Sequence, residues 1–153
     1  MKKLIYTFCL VVAAHFVNAQ ETVAIDSGYL NSHYTQRLDF FREMPNRKGE
    51  IAFVGNSITE GGKWQELIQK KNIINREIIG DVTYCILARL DEVLESKPTK
   101  VFLLSGVNDM KRGIPNKVIL NNFKRMMVMV KTQSPKTALY MQSVLTVNEA
   151  MLP

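Results

Sequence analysis

The sequence predicts an α/β protein, a three-layer α/β/α arrangement around a parallel sheet. Two patterns carry that expectation. Short apolar or β-branched runs alternate with segments whose apolar residues recur at helical spacing, and each run is separated from the next by enough chain for a right-handed crossover helix. Composition agrees: 153 residues, 46% hydrophobic and 22% charged, suit one globular domain rather than a disordered, collagenous or coiled-coil chain.

The chain opens with Lys2 and Lys3, an almost wholly apolar stretch from Leu4 to Val17, and the small or apolar triplet Val17-Asn18-Ala19. This is the pattern of a secretory signal over residues 1–19, leaving a mature chain from Gln20 and an exported, periplasmic or extracellular protein. The stretch is interrupted by His15 and falls short of the about 20 apolar residues a membrane span needs, so no span is expected after cleavage.

In the remainder, residues 20–153, Leu30, Tyr34, Leu38 and Phe41 predict a helix over 29–44, ended by Pro45-Asn46. Residues 50–54 form a short apolar run that stops at Gly55, as a buried strand does on entering a tight turn. Trp64, Leu67 and Ile68 mark a helix, and residues 72–78 a second, β-branched strand leading to a loop at Gly80-Asp81. Ile86, Leu90, Val93 and Leu94 predict a helix that Pro98 closes, followed by a strand over 101–104. Pro115 opens a helix carrying Ile119, Phe123, Met126, Met127 and Val130, whose methionines read as core packing, and residues 139–144 form a fourth strand.

Charge and cysteine content narrow the function classes. The formal net charge of +6 falls by two when the leader, with Lys2 and Lys3, is removed. The remaining basic clusters, Lys70-Lys71 and Lys111-Arg112, are small and lack interleaved aromatics, so no nucleic-acid partner is expected. Loss of Cys9 leaves Cys85 alone, which excludes an intrachain disulfide and a multi-cysteine metal site. No metal and no cofactor are expected. Cys85 reads as a small buried hydrophobe.

A parallel sheet of this kind binds ligands at the carboxyl ends of its strands. The first three strands are followed by Gly55-Asn56-Ser57-Ile58-Thr59, by Ile79-Gly80-Asp81-Val82-Thr83 and by Gly106-Val107-Asn108-Asp109. A serine at a strand-to-helix turn can attack a carbonyl while its own N–H faces the developing oxyanion. A loop glycine lets backbone approach a ligand and offers a second N–H, and an asparagine amide offers a third donor. Ser57, Gly80 and Asn108 fill these places. Singly, each has an ordinary structural reading as an N-cap, a turn glycine or a loop-bonding amide. Together they fall after three successive strands, where such a coincidence is unexpected.

These blocks resemble the first three blocks of the SGNH hydrolases, the GDSL-like lipases and acylhydrolases. Residues 48–109 are similar to secreted bacterial esterases of that group, including sialate O-acetylesterase-like and platelet-activating-factor acetylhydrolase-like proteins, and the likeness continues weakly through Gln142-Ser143-Val144-Leu145 to Asn148. The resemblance implies a flavodoxin-like sheet of five parallel strands in the order 2-1-3-4-5, of which four are visible. It implies Ser57 as nucleophile, and the Ser57 backbone, the Gly80 backbone and the Asn108 side chain as oxyanion hole. The reaction implied is metal-free hydrolysis of a small-molecule or glycan acyl ester, often an acetylated sugar, through an acyl-serine.

The chain departs from the family pattern in several places. Asn56 stands where an aspartate is common, Glu77 and Ile79 stand where small residues are usual, and bulk there is expected to narrow the site or tilt the Gly80 N–H. The family's late Asp-x-x-His block, which supplies the general base, has no counterpart before Pro153. The two histidines are His15, in the leader, and His33, expected as a surface residue of the first helix. Asp81 and Asp109 would be weak bases unless their pKa values were raised. Residues 20–153 are therefore expected to be an esterase domain incomplete at its C-terminus, with an open strand edge over 139–144 and little activity alone. The alternatives are a catalytically dead ester- or glycan-binding module, or an interaction fragment that pairs a partner strand with that edge.

Overall fold

The computed structural model describes residues 31–69 and 72–144. The signal segment, Cys9, His15, Lys70-Lys71, Leu145 and Asn148 lie outside the described residues. Asn31 caps α1 (Ser32–Glu43), its Oδ1 accepting from the Tyr34 N–H at 2.9 Å, so the helix starts after the position its periodicity suggests. Next come β1 (Ile51–Gly55), the single turn α2 (Ser57–Glu60), α3 (Trp64–Ile68) and β2 (Ile73–Glu77). α4 (Thr83–Glu95), β3 (Lys100–Leu104), the short α5 (Val107–Lys111), α6 (Asn116–Gln133) and β4 (Ala138–Met141) complete the order.

All strand pairs are parallel and the sheet order is β2-β1-β3-β4, the first four places of the expected 2-1-3-4-5. Pairing runs one residue past β4, where the Gln142 N–H donates to the Leu103 carbonyl.

Strand alternation divides the side chains between the two faces. Ala52, Val54, Val101 and Leu103 point to α4 and α6 and close a core with Ile86, Leu90, Val93, Leu94, Met126 and Val130. On the opposite face Phe53, Phe102 and Tyr140 lie in register and stack as a ladder, with Trp64 of α3 laid over Phe53. A second core, Tyr34 and Phe41 of α1 with Ile78, Val82 and Cys85, sits beside the β2–α4 connection. Cys85 is buried there, and desolvation pushes its thiol up to about 11, so it serves as a hydrophobe. The methionines divide: Met126 is core, whereas Met127 and Met110 are exposed. Among the described residues no helix is long and apolar enough to cross a membrane.

Candidate active site

The strand register brings the three predicted loops to one edge. Gly55 pairs with Glu77 on one side and Leu104 on the other, so one transverse row of the sheet ends all three strands. Ser57, Gly80 and Asn108 follow that row by two, three and four residues. Gly55 must be glycine for this approach, since a Cβ would lie 2.6 Å from the Leu104 carbonyl oxygen and 2.7 Å from Thr59 Oγ1. Asn56 caps the next turn, its Oδ1 accepting from the Ile58 N–H at 3.1 Å. Asparagine thus performs the cap an aspartate would. Ser57 opens α2 and is exposed to solvent.

The loop after β2 is pinned on both sides of Gly80. The Ile78 N–H donates to the Gly55 carbonyl, the Ile79 N–H to Glu60 Oε2, and the Asp81 N–H to the Ile78 carbonyl. Gly80 itself takes φ +82°, a conformation that favours glycine. The third loop turns through Gly106 at φ +112° into α5, which carries Asn108. Asn108 Nδ2 donates to the Asp81 carbonyl at 2.8 Å. One amide hydrogen is thereby used to orient the group. The expected crowding by Ile79 does not occur, because its side chain is 55% exposed and points to solvent. Glu77 turns inward instead and accepts from the Trp64 indole N–H at 3.1 Å.

The carboxylates near the edge are committed to structure. Asp81 is buried against Arg89, whose Nε and Nη2 reach Oδ2 at 2.9 and 2.7 Å. Burial pushes Asp81 up to about 6 against the lowering pull of that guanidinium. Asp109 is also raised by burial, yet both its oxygens accept from the Thr83 N–H and one from the Thr83 hydroxyl, which in turn accepts from Asn122 Nδ2 at 3.0 Å. Asp109 therefore caps α4. Asp81 and Asp109 are thus held by Arg89 and Thr83, and among the described residues neither is hydrogen-bonded to Ser57.

His33 lies at the surface of α1 as expected, its side chain 44% exposed, but it has a partner at the site edge. α1 runs from the carboxyl edge of the sheet, where Tyr34 Oη reaches the Cys85 carbonyl, to the amino edge, where the Arg47 N–H meets Glu50. Its first turn lies at the site edge, and His33 Nε2 contacts Glu60 Oε1 at 3.1 Å with Arg37 Nε at 3.4 Å from the same oxygen. Among the described residues the hydrogen bond of His33 goes to Glu60 and none goes to Ser57.

Sequence reasoning passed over Glu60 and Thr83 and saw Arg89 only as part of a similar stretch. Thr83 had a usable signal, a hydroxyl at the start of a helix. Glu60 and Arg89 had none, because their partners lie in other loops, 19 and 8 residues away along the chain.

The model of the GDSL-like lipase/acylhydrolase family matches residues 53–153. An arylesterase of Vibrio mimicus is 31% identical over 129 residues, covering 84% of this chain and 56% of that protein. The chain thus spans little more than half the length of this relative. A proposed platelet activating factor from Streptococcus pneumonia has a structure similar to this one with a TM-score of 0.72 and 31% identity, over 82% of this chain and 61% of that one. The fold is shared with a GDSL-like lipase from Bacteroides thetaiotaomicron at a TM-score of 0.62 and 24% identity, over 73% of this chain and 58% of the other.

Proposed function

The chain belongs to the GDSL-like lipase/acylhydrolase family, and from that premise we propose that it is a serine esterase domain working through an acyl-Ser57 intermediate. Ser57 Oγ attacks the ester carbonyl carbon, the carbonyl electrons pass to oxygen, and the tetrahedral oxyanion lies between the Ser57 N–H, the Gly80 N–H and Asn108 Nδ2. Collapse expels the alcohol, and water then releases the acid and regenerates the serine. The observation that carries this reading is the shared transverse row, which ends three adjacent parallel strands at the serine, glycine and asparagine loops. We further assign the substrate to small O-acyl esters of carbohydrates, on the likeness of residues 48–109 to secreted acetylesterases, and the chain to an exported location on its leader pattern.

Proton transfer from Ser57 belongs, in this reading, to an Asp-x-x-His block as the family resemblance implies; the sequence contains no such block. The test is hydrolysis of para-nitrophenyl acetate by the wild-type chain beside Ser57→Ala and Asn108→Ala. Ser57→Ala should remove all turnover above background. Asn108→Ala should lower kcat by about 100-fold to 1,000-fold, the usual cost of an oxyanion donor, while the chain stays folded. Equal turnover above background in all three proteins would sink the site assignment, whereas no turnover from the folded wild-type chain would mean that the proton-accepting base is not among these residues. A preference for acetylated sugars over longer acyl esters would support the carbohydrate assignment, and the reverse preference would overturn it.

A further inference from the structure

Glu60 closes the one-turn helix that Ser57 opens, and its side chain leaves that helix for the neighbouring loop. Oε2 accepts from the Ile79 N–H at 2.5 Å, one residue before Gly80. Oε1 faces α1, with His33 Nε2 at 3.1 Å and Arg37 Nε at 3.4 Å. Its main chain is equally fixed: the N–H donates to the Asn56 carbonyl at 3.0 Å, and the carbonyl accepts from Asn75 Nδ2 of β2 at 2.9 Å. The Glu60 side chain is 14% exposed. Arg37 is itself seated, its guanidinium carbon 4.7 Å from the centroid of the Phe41 ring.

We propose that Glu60 is a positioning residue for the oxyanion site, latching the Ile79–Gly80 segment to the turn that carries Ser57. This rests on the esterase reading above. Ser57 and Gly80 belong to different loops, and an oxyanion hole works only if its donors are held at one geometry before charge develops. Glycine at φ +82° can swing its N–H at little steric cost, so the loop needs an anchor close by. The Asp81 N–H bond to the Ile78 carbonyl supplies one on the far side, and the Glu60 carboxylate supplies the one on the near side. A bond from a backbone N–H to a carboxylate is charge-assisted and stronger than a neutral one. His33 and Arg37 face the other oxygen, so α1 takes part in setting the loop.

The experiment uses Glu60→Ala, Glu60→Gln and Glu60→Asp, read by amide hydrogen exchange at Ile79 and Gly80 and by para-nitrophenyl acetate kinetics on the same samples. Gln keeps an oxygen for the Ile79 N–H, whereas Asp keeps the charge and falls one methylene short. Glu60→Ala should speed Ile79 exchange by about tenfold or more. It should lower kcat by about tenfold with KM held within about twofold, because the lost interaction acts on the transition state. Glu60→Gln should restore most of both quantities, and Glu60→Asp should behave like Ala. If Glu60→Ala does not fold, the Gln–Asp contrast carries the same reading. Unchanged Ile79 exchange, or unchanged kcat in a variant whose wild type shows Ser57-dependent turnover, overturns the proposal. Wild-type turnover above background yet no greater than that of Ser57→Ala overturns the esterase reading and the oxyanion role with it; in that case, and equally where no turnover is seen, Ile79 exchange decides separately whether the latch exists.

Discussion

Arg89 lies on α4 among residues whose spacing marks an apolar stripe, yet its side chain is 1% exposed and tied to one loop and two strand ends. Besides Asp81 it donates through Nη1 to the Arg76 carbonyl at 2.8 Å and lies 3.4 Å from the Gly55 carbonyl. It therefore holds the ends of β1 and β2 beside the loop that presents Gly80. Breaking a buried pair from one side leaves an uncompensated charge, so Arg89→Met should lower the unfolding free energy by about 3–5 kcal/mol in urea titration. Arg89→Met combined with Asp81→Asn should recover part of that loss, since the orphaned carboxylate is then gone. A single-variant loss no larger than that of a typical surface substitution would mean the pair does not organise this edge. Ser57, Gly80 and Asn108 were readable because each follows a strand; Arg89 was not, because nothing local distinguishes a buried arginine from an exposed one.

α3 shows how an element can be expected for one reason and held by another. Trp64, Leu67 and Ile68 suggested an apolar helix face, but Leu67 is 70% exposed and Ile68 39%. Trp64 docks the element by its ring, and Gln65 Nε2 adds a bond to the Ile73 carbonyl of β2 at 2.9 Å. The Trp64 ring stacks on Phe53 at 4.4 Å with the planes 2° apart, and its N–H reaches both the Thr59 carbonyl and Glu77 Oε2 at 3.1 Å. Trp64 is half-buried, so Trp64→Ala should cost somewhat less in urea unfolding than the about 3–5 kcal/mol of a fully buried large aromatic. Trp64→Phe, which keeps the ring and loses the donor, should cost about 1–3 kcal/mol by leaving Glu77 short of a partner. If the two variants lose the same amount, the indole N–H contributes nothing beyond the stack. α2 and α5 are single turns with no period to detect, so they entered the sequence reading only as loops.

The whole molecule buries several carboxylates at the functional end of the sheet, and this sets a pH dependence. Desolvation raises Glu77 to about 7 and Asp81 to about 6, and raises Glu92 and Asp109 as well. A carboxyl whose folded pKa exceeds its unfolded value binds more protons in the folded state across the window between them. Its contribution to stability is complete below the unfolded pKa and is lost as pH rises through the folded one. For Glu77 that window runs from 4.5 to about 7. Glu77→Gln cannot ionise, so its unfolding free energy relative to wild type should climb across this window and level off above it. Parallel stability profiles for the two proteins would contradict the burial of Glu77 as an ionisable group.

At the same scale, alternating short strands and helices sufficed to determine a parallel α/β sheet, because hydrophobic periodicity and crossover handedness are local or topological rules that a linear chain displays. The order of three chemically suggestive loops was legible for the same reason. Tertiary structure alone decided that Asp81 and Asp109 are bound to Arg89 and Thr83 rather than poised as bases, that His33 meets Glu60, and that Glu60 reaches Ile79. Each of these contacts is made by a side chain at the carboxyl edge, where geometry at the level of an ångström chooses partners that no residue pattern along the chain encodes.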